Sequence, residues 1–77
     1  MKIRVESFAT YRDYTERLPQ DKQMDVPDGA VIQDVLAALG VPTDKPIILL
    51  VNGRARPAHA PLREGDHLVF FPPLEGG

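Results

Sequence analysis

Leu62-Arg63-Glu64-Gly65-Asp66-His67-Leu68-Val69-Phe70-Phe71-Pro72-Pro73 is the stretch on which the fold turns. Its Glu64-Gly65-Asp66 centre reads as a turn, because glycine accepts a left-handed backbone and aspartate commonly bonds its own main chain. The residues that follow are mostly apolar and favour extended backbone, and Pro72-Pro73, with no N–H to donate, ends sheet pairing. A closing strand is therefore predicted, with Leu68 and Phe70 on one face and Val69 and Phe71 on the other.

Upstream, Ile47-Ile48-Leu49-Leu50-Val51 is an unbroken apolar run stopped by Asn52-Gly53, a pair that favours the left-handed conformations of a tight turn. It predicts a strand buried on both faces, with a short strand to follow near Arg54–Arg56. Ile32, Val35, Leu36 and Leu39 fall at i, i+3, i+4 and i+7 and form one helical stripe, with Gln33, Asp34 and Ala37 off it. Gly40 and Pro42 end that helix, and Asp28 is expected to accept from the free N–H groups at its start. Ile3-Arg4-Val5-Glu6-Ser7-Phe8 alternates as a strand. Gln23-Met24-Asp25-Val26 repeats the alternation up to Pro27-Asp28-Gly29, so the two predict a hairpin around a variable loop.

The order is strand, strand, helix, strand, short strand, strand, which is an α+β pattern of the β-grasp type: a mixed sheet of four to five strands packed on one helix. Its expected core is Ile3, Val5, Ile32, Val35, Leu36, Leu39, Leu68 and Phe70. One helix covers one sheet face, so Val69 and Phe71 are expected on the uncovered face, ready to meet a partner. Pro72 and Pro73 favour extended backbone and should project Leu74 and the residues beyond it away from the body.

Composition narrows the function. A chain of 77 residues builds one modest core rather than a deep catalytic cleft, so residues 1–77 are read as a single domain with 72–77 as its tail. No apolar run approaches the roughly 20 residues that span a bilayer, and the N-terminus does not read as a secretory signal, so a cytoplasmic protein is expected. Without cysteine there is no disulfide, thiolate nucleophile or iron–sulfur ligation. The net charge of −2, with acids and bases interleaved, is not a nucleic-acid footprint. His59 and His67 lack metal-ligand spacing, Glu64 and Asp66 belong to a turn, and Arg54, Arg56 and Arg63 read as scattered, solvated cations. No side-chain constellation is left to carry catalysis. What remains is the carboxylate of Gly77 behind Gly76, where the absence of a Cβ lets the chain thread a narrow channel.

Phe8-Ala9-Thr10-Tyr11-Arg12, Val51-Asn52-Gly53 and above all Leu62 through Gly77 resemble the MoaD/ThiS family of ubiquitin-like sulfur carriers. The resemblance spans nearly the whole chain. It implies that a ubiquitin-activating-type enzyme uses ATP to adenylate the Gly77 carboxylate, after which a sulfur donor converts it to a thiocarboxylate. Adenylation is the step a carboxylate needs, being a poor acyl donor unless activated. The carrier would have no active site and no bound cofactor of its own. Phe70-Phe71-Pro72-Pro73 is more similar to the molybdopterin branch, serving molybdenum or tungsten cofactor, than to the thiamine branch. The implied recipient is accordingly a molybdopterin synthase large subunit or, alternatively, a thiazole synthase. Some relatives instead form isopeptide bonds with lysines, which keeps a modifier role open. Leu74–Gly77 is expected to be disordered in the isolated protein, since a glycine end makes too few contacts to offset its ordering entropy.

Overall fold

The structure is a computed structural model that describes residues 1–73. Five strands form one sheet in the order β2-β1-β5-β3-β4. These are β1 Lys2–Ser7, β2 Gln23–Asp25, β3 Ile48–Val51, β4 Arg54–Ala55 and β5 His67–Phe71, and the helix α1 spans Ile32–Leu39. β1 and β5 run parallel at the centre, in the register Arg4↔His67, Val5↔Leu68, Glu6↔Val69 and Ser7↔Phe70. The other pairs are antiparallel, and β3 meets β5 as Ile48↔Phe71, Leu49↔Phe70, Leu50↔Val69 and Val51↔Leu68.

This register sorts the side chains. Ile3, Val5, Leu49, Leu68 and Phe70 face α1 and are buried, as are Ile32, Val35 and Leu36 from the helical stripe. Each such side chain contributes about 1.5–3 kcal/mol by leaving water. Tyr11, Val26, Ala30, Val41, Ala60 and Leu62 complete the core from the loops. Leu39, expected in the core, is only half-buried at the last position of α1, where the stripe runs off the end of the sheet.

The helix ends on Gly40 at φ 77°, the left-handed cap that its sequence predicts. Its start differs from expectation. Asp28 accepts from the Met1 ammonium at 3.2 Å, and it is Asp34 that turns back to accept from the Val31 N–H at 2.9 Å. The N–H groups of Ile32 and Gln33 donate to the carbonyls of Ala60 and Ala58, at 3.1 and 2.8 Å, so the loop before β5 caps the helix.

One further expectation is corrected, and one loop proves to be structured. β3 is not buried on both faces: Leu49 is buried, but Ile48 and Leu50 are half-exposed, because nothing among the described residues covers the outer sheet face, while Val51, on the core side opposite Leu68, is partly buried at the end of the strand. The loop between β1 and β2 contains a 3₁₀ segment, Ala9–Thr15, entered through Ala9 at φ 56°. That strained turn is held from both sides. The buried Ser7 Oγ donates to the Tyr11 carbonyl at 2.7 Å and lies 2.8 Å from Thr15 Oγ1, and the Tyr11 ring meets Phe70 edge-on at 6.0 Å.

Candidate functional site

The uncovered face of the sheet is built by alternation. Residues of β5 and β3 opposite the core pairs, namely Val69, Phe71, Ile48 and Leu50, sit side by side in register and are all half-buried. Toward β1 the face becomes charged: Arg4 pairs with Glu6 at 2.8 Å, and His67 Nε2 stands 3.5 Å from Glu6 Oε2 without a hydrogen bond. The face is thus an apolar strip over β5 and β3 with an ionic margin.

Because β1 and β5 are parallel, their C-terminal ends emerge together. Phe8 donates its N–H to the Phe70 carbonyl at 3.2 Å, continuing the ladder one residue past Ser7↔Phe70 and so placing Phe8 beside Phe71. Phe8 is 50% exposed, the one large hydrophobic side chain so open among the described residues. Sequence reasoning counted it within a strand but not within the site. The signal was present: Phe8 falls on the same alternate as Arg4 and Glu6, where an apolar residue has no core to serve. Phe8, Phe71 and Ile48 form the last row of the face, at the end where Pro72 and Pro73 leave β5.

Pro72 and Pro73 are half-buried. Leu74, Gly76 and Gly77, and with them the expectation of a disordered end, lie outside the described residues. Of the other sequence candidates, Asp66 accepts from the Arg63 N–H at 2.8 Å, as a turn aspartate does, while Glu64 accepts from the Lys2 N–H at 3.0 Å, so the two carboxylates serve separate backbone contacts. His59 is exposed, and among the described residues no group of side chains has the makings of a metal site. No helix there is long and apolar enough to cross a membrane.

Fold and face together define a ubiquitin-like β-grasp protein whose exposed sheet leads into its C-terminal segment. Residues 5–77 match the ThiS family, and the chain belongs to that family, whose members are small sulfur carriers rather than catalysts. Among solved structures, SAMP1 from Haloferax volcanii is similar over 100% of both chains at 26% identity, with a TM-score of 0.74. A second structure of this small archaeal modifier protein 1 from H. volcanii is similar over 95% of this chain and 98% of its own, at 25% identity and a TM-score of 0.72. A Pyrococcus furiosus protein assigned as molybdopterin converting factor, subunit 1, covers 96% of this chain and 99% of its own, with a TM-score of 0.74. Its 24% identity shows the fold alone. A search of curated proteins finds no match to the sequence.

Proposed function

We propose that the chain carries sulfur on Gly77 for cofactor biosynthesis, with molybdopterin as the destination. A ubiquitin-activating-type enzyme docks on the apolar face and joins the Gly77 carboxylate to AMP from ATP, releasing pyrophosphate. A sulfur donor then displaces AMP and leaves a thiocarboxylate. The recipient, a molybdopterin synthase large subunit, takes the sulfur and returns the carboxylate. A thiazole synthase is the alternative recipient.

One observation carries this reading. β5 ends with Phe71 on the uncovered face, and in the sequence only Pro72-Pro73-Leu74-Glu75 separate that residue from Gly76-Gly77, so the docking surface and the reacting group are close neighbours along the chain. A partner that grips Phe8, Phe71 and Ile48 thereby fixes where the following segment starts, and such positioning is what lets a threaded end meet a nucleotide phosphate. The family match, which runs through Gly77, supports the same use of the end.

A second reading, attachment to lysines as a modifier, is favoured by the likeness to SAMP1, described as a small archaeal modifier protein. Both readings share activation of Gly77. Mass spectrometry of the protein after incubation with its activating enzyme, ATP and a sulfur source separates them. A thiocarboxylate on the free chain supports the carrier, whereas lysine conjugates with no thiocarboxylate support the modifier.

A further inference from the structure

Arg54, Arg56 and Arg63, scattered along the sequence, line one shallow cavity at the β4 edge together with Asn52, Pro61 and Asp66. Register brings the first two together. Arg54 sits opposite Val51, and Arg56 continues the ladder by donating its N–H to the Leu49 carbonyl at 3.1 Å, so side chains two residues apart leave on the same side. Arg63 reaches in from the turn before β5.

The carboxylate in that cavity is already occupied. Asp66 Oδ1 accepts from Asn52 Nδ2 at 2.9 Å and Oδ2 from the Arg63 N–H at 2.8 Å. Among the described residues no ion pair engages any of the three guanidinium groups. In a chain of net charge −2, three guanidinium groups outnumber the single Asp66 carboxylate around this hollow and leave a local positive field that attracts an anion.

Arg56 also lines a neighbouring hollow, and there the walls are apolar: Ile47, Ile48, Leu49, Ala55, Pro57 and Ala58. β4 is the last strand of the sheet, so its outer backbone edge has no strand partner among the described residues and is open to an extended segment. We propose that the β4 edge is a docking groove for an acidic peptide segment of a protein partner. Its carboxylates lie on Arg54, Arg56 and Arg63, and an adjoining large apolar side chain enters the hollow beyond Arg56. Guanidinium groups match carboxylates in a bidentate fork. A free phosphate would engage the arginines and leave the apolar hollow empty, and a nucleic acid would lack the aromatic platform on which bases stack. The groove is independent of what happens at Gly77, so its failure would leave the carrier reading standing.

The test is a titration of the intact ¹⁵N-labelled protein, followed by amide chemical shifts, with a synthetic peptide of glutamates followed by leucines and, separately, with inorganic tripolyphosphate. Saturable shifts at Asn52, Arg54, Ala55, Arg56 and Arg63 are expected with the peptide. Replacing Arg54→Gln and Arg56→Gln together should weaken this binding about tenfold, while Arg4→Gln on the uncovered sheet face leaves it within about twofold. Both arginine positions are exposed, so the double variant should fold, and its unchanged amide spectrum elsewhere checks this. Shifts spread evenly over all basic residues, affinity retained in the double variant, or saturation by tripolyphosphate but not by the peptide would each overturn the proposal.

Discussion

Asn52 shows how much one turn residue can hold. With φ at 52°, followed by Gly53 at 83°, it forms the left-handed turn between β3 and β4. Its side chain also bridges to β5: Nδ2 donates to Asp66 and Oδ1 accepts from the His67 N–H at 3.0 Å. Glycine would relieve the backbone strain but remove both bonds, so Asn52→Gly should still lose about 1 kcal/mol, and Asn52→Ala, which loses the bonds and keeps the strain, should lose more. Urea denaturation of the two variants checks the order. In the core, Leu36 is 1% exposed, and Leu36→Ala should cost about 2–5 kcal/mol by the same measurement. A cost below 1 kcal/mol at Leu36 would contradict its place beneath the sheet.

Among the elements, β5 divides the molecule's two concerns by alternation. Phe70→Ala removes a fully buried ring and should cost about 3–5 kcal/mol. Phe71→Ala and Phe8→Ala, on the other face, should each change stability far less and instead weaken docking to the activating enzyme. Calorimetry of stability and of binding separates these outcomes, and equal losses in both for Phe71→Ala would make it a core residue. This alternation was legible in the sequence, as were the helical stripe, its glycine stop and the short β4, because each is a local periodicity or a local turn preference. The 3₁₀ segment was not legible. Ala9–Thr15 has no periodic signal, and it is held by Ser7 and Phe70, contacts that exist only after folding. The same limit hid the cap of α1 by Ala58 and Ala60. It also hid the convergence of Arg54, Arg56 and Arg63, which depends on the β3–β4 register, and it made β3 look buried on both faces when one lacks a cover among the described residues.

At the scale of the whole molecule, the core lies on one face of one sheet, and the other face is left uncovered among the described residues. The parallel pairing of β1 with β5 sets Phe8, Phe71 and the departure of Pro72 at one end of that face. The central claim is that this arrangement exists to present the Gly77 carboxylate for activation. Shortening the end by one residue withdraws the carboxylate by roughly 3.3–3.6 Å, more than attack on a nucleotide phosphate tolerates. The side-chain carboxylate of Glu75 sits on a branch that a narrow channel would not present, so it should not substitute. The most direct measurement is intact-mass spectrometry of the protein and of a Gly77-deleted variant, each incubated with the cognate activating enzyme, ATP and a sulfur donor. The full chain should gain the mass difference between sulfur and oxygen at its terminus and the shortened chain should not; equal thiocarboxylation of the Gly77-deleted protein would contradict the account.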